Sequence, residues 1–127
     1  LTGAPELPAS DELRESIREV IRETADEGDV VIVSHAASIA LAGTPDLLRV
    51  LVTASADIRA RRLEGADPLG FDAARRRVDA DDAARADYIR RFYGVDAELP
   101  AHYDLVVSTD VLGAVQAADV VVAAARL

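Results

Sequence analysis

The chain has 127 residues, 50% hydrophobic and 29% charged, with a net charge of −9 and no cysteine. That size suits a single domain with a proper core, and the composition is that of a folded protein rather than a disordered one. Disulfides, thiolate zinc sites and a cysteine nucleophile are excluded. The acidic balance argues against nucleic acid or an anionic membrane as a general partner, although local arginine clusters can still hold a small phosphate ligand.

No apolar run approaches the roughly 18 residues of a spanning helix and no signal peptide is evident, so a cytoplasmic protein is expected. A chain that opens on Leu1 rather than Met is expected to be a cleaved product or a piece of a longer protein. Much of the apolar content is Ala and Val, and the aromatics are Phe71, Tyr88, Phe92, Tyr93 and Tyr103, which predicts a closely packed core without large rings.

Residues 1–9, with Pro5 and Pro8, read as an extended lead-in. Ser10 is a good N-cap, Asp11 and Glu12 suit a first turn, and Leu13, Ile17, Val20 and Ile21 form one apolar stripe of a helix that Gly28 can stop. Val30–Val33 has no alternation, as expected of a buried parallel strand. A second strand is predicted over Leu47–Thr53 after the Gly43-Thr44-Pro45-Asp46 turn. Ser55 precedes a short helix bearing Ile58 and Leu63, and Gly65 with Pro68 separates it from a long helix over about Gly70–Tyr93. A third strand at Leu105–Val107 and a last helix over Gly113–Ala125 complete the pattern. Strands alternating with helices predict an α/β layer architecture with parallel pairing.

The long helix carries the least ordinary pattern. Phe71, Val78, Arg85 and Phe92 recur every seven residues, so Arg85 occupies a place that its neighbours fill with apolar groups. Asp81 and Asp82 lie within one turn of it and can both reach its guanidinium, while Arg75, Arg76 and Arg77 cluster earlier and Arg59, Arg61 and Arg62 lie on the preceding helix. An arginine fixed by an aspartate matches the geometry of phosphoryl oxygens. The same spacing is equally that of a helix laced by ordinary ion pairs, with Arg85 snorkelling past its own stem.

His35 falls just past the first predicted strand, where open α/β sheets place ligands, and Ser34, His35 and the Ala36-Ala37 backbone can form a small anion-binding turn if a helix begins near Ser38. A surface or capping role accounts for the same residues. His102 lies in a Pro-containing loop, no histidine metal site is expected, and no G-x-S-x-G elbow surrounds Ser34 or Ser108. Asp110 can hold a hydroxyl or a cation, or cap the next helix.

Four segments taken in order, "VVIVSHAASIAL", "LLRVLVTASADIRARRL", "DAARRRVDADDAARADYIRRFYGVD" and "HYDLVVSTDVLG", resemble the cytidylate-kinase-like family of P-loop nucleoside monophosphate kinases over roughly residues 11–121. The most specific part is D-x-x-R-x-x-Y-x-x-x-F-Y-G from Asp82 to Gly94, followed by Y-D-L-V from Tyr103 to Val106. The resemblance implies a three-layer α/β/α fold with a parallel sheet. It also implies transfer of the ATP γ-phosphoryl group, with Mg²⁺, to a nucleoside monophosphate such as CMP or dCMP. By that resemblance Arg85 matches a lid arginine on the transferring phosphates and Asp82 its acidic partner. Arg59 and Arg62 fall near the ATP base, and Ser34-His35 stands where the family reads Gly-Arg and grips the acceptor phosphate.

A shorter, partly charged His35 implies a weaker grip there. The G-x-x-x-x-G-K-[ST] phosphate loop and its strand, expected before the substrate segment, are not among these residues, and no lysine stands in any glycine loop. In family topology that strand lies between those resembling Val30–Val33 and Leu47–Thr53, so the sheet is expected to close up, self-associate or take a strand from another chain. Negligible phosphoryl transfer is expected from these residues alone. The alternative is a noncatalytic kinase-like module for interaction or nucleotide sensing.

Overall fold

The computed structural model describes residues 10–66 and 70–127, and these fall into two compact units divided between Thr44 and Pro45. The expected lead-in over residues 1–9, the Ser10 side-chain cap and the Pro68 break lie outside the described residues.

In the first unit, α1 (Ser10–Asp26) is amphipathic and packs against the four-residue α2 (Ala37–Ala40). Ile21, from the predicted stripe, is buried together with Ala36 and Leu41, whereas Leu13 and Val20 stay half exposed. Gly28 stops α1 with φ 71°, a left-handed backbone that glycine adopts without a Cβ penalty. Ala36 also has positive φ (58°) and turns the extended chain into α2.

The strand expected at Val30–Val33 does not form. Val31 and Val33 are 92% and 95% exposed, and among the described residues the sheet consists of two other segments. A β-branched run favours extended backbone, but a strand also needs a hydrogen-bonded neighbour, which local sequence does not encode. Ile17, Val20 and Ile21 of α1 instead line an apolar groove of about 350 Å³ with Ile32 and Ser34.

The second unit holds β1 (Val50–Thr53), α3 (Ala56–Ala66), α4 (Phe71–Tyr93), a 3-10 turn at Pro100–His102, β2 (Leu105–Ser108) and α5 (Ala114–Ala125). β1 and β2 pair in parallel, Val50 with Leu105 through Thr53 with Ser108, and the connection between them carries α3 and α4. The predicted parallel α/β pairing is therefore present, with β1 starting three residues later than expected.

The core lies between α3 and α4, where Ala60, Ala74 and Val78 are buried and Ala56, Leu63 and Phe71 pack around them. Two alanines at the contact let the helices approach closely, while the Phe71 ring packs against the cluster and Tyr103 is buried elsewhere in the unit, so rings do contribute to the interior. Burying Val78 contributes about 1.5–2 kcal/mol. Gly94 closes α4 with φ 65°, and its N–H returns to the Arg90 carbonyl at 3.0 Å.

Both ends of the strand pair are latched. Before the sheet, Arg49 grips Asp104 through its backbone N–H (2.8 Å), Nε (3.1 Å) and Nη2 (2.9 Å), while the Asp104 N–H donates to the Arg49 carbonyl at 2.8 Å. Beyond it, the Thr109 N–H donates to the Thr53 carbonyl at 2.7 Å, and Asp110 Oδ1 accepts the Ser55 N–H at 2.7 Å. Asp110 thus ties the start of α3 to the exit of β2.

Candidate functional site

The carboxyl ends of parallel strands are where such sheets present ligands, and α3 leaves β1 there. Two arginines of α3 act at this end in different ways. Arg59 donates to Asp82 of α4 as a two-pronged fork, Nη1 to Oδ2 at 2.8 Å and Nη2 to Oδ1 at 2.6 Å. Arg62 reaches Thr109, with Nη1 on the hydroxyl at 3.0 Å and Nη2 on the carbonyl at 2.6 Å, and so fastens α3 to the end of β2.

Arg85 takes neither of the two expected aspartates. Its Nε and Nη2 donate to Glu98 Oε2 and Oε1, both at 2.8 Å. Glu98 lies in the irregular segment after α4, and its Oε1 also accepts the hydroxyl of buried Tyr103. The Arg85 and Glu98 side chains are 33% and 20% exposed. Spacing placed Asp81 and Asp82 within reach of Arg85, but a fork from the neighbouring helix satisfies Asp82, and the chain returning after Gly94 supplies a better-shielded carboxylate to Arg85.

The charge states follow these bonds. The Arg59 fork lowers the Asp82 carboxyl below its ordinary value against a desolvation cost, and Asp82 in turn raises Arg59. The Arg85 fork lowers Glu98, with the Tyr103 bond adding to the effect, and Glu98 raises Arg85. All four groups are therefore ionised at neutral pH. Asp82, Arg85, Ala86, Ile89 and the 95–98 segment line a cleft of about 150 Å³. It is smaller than the groove beside α1, yet it holds the charged groups. The α1 groove is lined by apolar and hydroxyl side chains and offers no cation to a phosphate.

Ser34 and His35 belong to the first unit, where both are exposed in the turn before α2. A helix of four residues adds little dipole to an anion-binding turn. His102 Nδ1 accepts the Leu99 N–H at 3.1 Å and so serves the 3-10 turn. Among the described residues no group of three or more His, Cys, Asp or Glu is arranged to hold a metal ion, and no helix is long and apolar enough to cross a membrane.

Sequence reasoning missed Glu98 as the partner of Arg85. The contact depends on how the chain folds back after α4, and the only local hint was a carboxylate just ahead of the Y-D-L-V motif.

A model of the cytidylate kinase-like family matches residues 3–111, a span that includes Arg59, Arg62, Asp82, Arg85, Glu98 and Tyr103. The chain belongs to the cytidylate kinase-like family. Among curated proteins it is similar to a cytidylate kinase of Methanopyrus kandleri, 32% identical over 96 residues that cover 69% of this chain and 50% of the relative. It is also similar to a cytidylate kinase of Methanoculleus marisnigri, 30% identical over 106 residues that cover 84% of this chain and 56% of the relative. The chain spans about half the length of the curated relatives it matches.

Proposed function

We propose that these residues form the lid-side part of a nucleoside monophosphate kinase that moves the ATP γ-phosphoryl group, with Mg²⁺, to CMP or dCMP. One observation carries this reading: Arg85, within the family-matched span, is fixed by two charge-assisted bonds at the edge of a small cleft that also holds Asp82, Asp96 and Glu98. Phosphoryl transfer is mostly positioning and charge stabilisation, and a rigid guanidinium suits both tasks. In this reading Arg85 contacts the transferring phosphates. Asp82 and Arg59 form a charged brace beside it, and Arg62 shapes the neighbouring surface through Thr109. Ser34 and His35 meet the acceptor phosphate with a weaker grip than an arginine gives.

Residues 1–127 then belong to one three-layer α/β/α domain with a larger parallel sheet, completed by a phosphate-loop strand, by self-association or by another chain. The 127 residues contain no lysine, so they do not themselves supply the phosphate-loop cation. The chain alone is therefore expected to bind nucleotide without appreciable turnover. Calorimetric titration with CMP and with ATP–Mg²⁺ tests this. Binding that Arg85→Ala weakens by about tenfold or more supports the reading, and unchanged binding makes Arg85 structural only.

A second reading, a noncatalytic nucleotide-sensing module, is favoured by Ser34-His35 at the acceptor grip. It is distinguished by assaying CDP formation with the complete gene product, which the kinase reading requires to be ATP- and Mg²⁺-dependent.

A further inference from the structure

Arg85 sits on a long flexible stem in a stripe position between Val78 and Phe92, and an arginine side chain carries about 2 kcal/mol of rotamer entropy that any ligand contact must overcome. The structure removes that freedom before any ligand arrives. Glu98 takes Nε and Nη2 at 2.8 Å each, which fixes the plane of the guanidinium as well as its place. The carboxylate is itself held from the other side by the hydroxyl of Tyr103, a residue that is 9% exposed and stands two positions before β2. The three side chains therefore form a relay, Arg85 to Glu98 to Tyr103, anchored to the entry of the sheet. A carboxylate serving merely as a passing counter-ion has no need of such an anchor.

We propose that Glu98, held by Tyr103, is a positioning residue that orients the Arg85 guanidinium for a nucleotide phosphate at the cleft beside α4. The inference rests on the reading of Arg85 as a phosphate ligand. Glu98 acts through Arg85 and touches no reacting atom. Its worth lies in pre-organisation: the ordering cost is met on folding rather than on binding.

The test pairs a spectroscopic signature with an affinity, both on the 127-residue chain. In the wild type the Arg85 Nε–H gives a discrete, slowly exchanging NMR cross-peak. Glu98→Gln, which keeps shape and loses charge, broadens or loses that peak and weakens CMP binding by about three- to tenfold. Glu98→Asp retains more of both than Glu98→Gln, and Tyr103→Phe, which deletes one hydroxyl from a ring that stays packed, moves both in the same direction by less. Loss of the signature together with CMP binding equal to or tighter than wild type overturns the proposal, because Glu98 is then a bystander or a competitor for the fork. If the wild type binds CMP and Arg85→Ala abolishes it while Glu98→Gln does not weaken it, the positioning role alone fails. If the wild type binds neither CMP nor ATP–Mg²⁺, the phosphate reading of Arg85 falls and the positioning role with it.

Discussion

The allocation of carboxylates between Arg59 and Arg85 can be settled by a pair of double-mutant cycles. Asp82 receives two bonds from Arg59, at 2.8 and 2.6 Å, whereas Arg85 acts on it through space alone. Unit charges about 4 Å apart attract by roughly 1 kcal/mol in water and 4 kcal/mol at an effective dielectric of 20. The Arg59 and Asp82 side chains are 36% and 47% exposed, which puts the pair toward the watery end of that range. Solvent screening and the entropy of fixing both side chains reduce the coupling to about 0.5–1 kcal/mol. The Asp82–Arg85 coupling should stay below about 0.3 kcal/mol, since no direct bond is lost. The assay is urea unfolding followed by far-ultraviolet circular dichroism for Asp82→Asn, Arg59→Gln, Arg85→Gln and the two double variants. High salt should shrink the larger coupling. An Asp82–Arg85 coupling larger than the Arg59–Asp82 one would refute the assignment and restore the partner that spacing suggested.

Other perturbations probe the scaffold. Val78→Ala deletes two buried carbons between α3 and α4 and should cost about 2–3 kcal/mol, seen as a lower urea midpoint; a loss under 1 kcal/mol would mean that this contact is not the core of the unit. Val31→Thr and Val33→Thr alter nearly fully exposed side chains and should change the stability of this chain by less than about 0.5 kcal/mol, whereas a large loss would reveal the buried strand that the sequence suggested. The Asp104 carboxyl is pulled down to about 2 from an ordinary 3.8, chiefly by the Arg49 side chain. Its contribution is therefore complete above about pH 4 and is lost as pH falls toward 2, and Asp104→Asn should flatten the urea midpoint over that window. A midpoint with the same pH dependence in wild type and variant would contradict the latch.

The helices were the most legible part of the sequence. The 3.6-residue stripe through Leu13, Ile17 and Ile21 marked α1, and the long helix expected over about Gly70–Tyr93 is α4 within a residue at each end, because these signals are local. The strands were only half legible: the same β-branched composition marked Val30–Val33 and Leu105–Val107, but only the second has a ladder partner among the described residues. Arg59, Asp82 and Arg85 were all singled out, and the structure joins the first two. The bonds of Arg85 to Glu98 and of Tyr103 to Glu98 arise from the return of the chain after α4, and no periodicity carries that information. The Arg49–Asp104 latch was missed for the same reason, since its members lie 55 residues apart.

The central claim is that Arg85 and its surroundings hold a nucleotide phosphate. The most direct measurement is a two-dimensional amide NMR titration of the 127-residue chain with ATP–Mg²⁺ and then CMP, repeated on Arg85→Ala. The account predicts saturable shifts in the neighbourhoods of Arg59, Asp82, Arg85 and Glu98, with CMP also shifting Ser34 and His35, and the shifts around Arg85 lost in the variant. A well-dispersed wild-type spectrum that ignores both nucleotides would contradict it and leave a kinase-like scaffold without the chemistry.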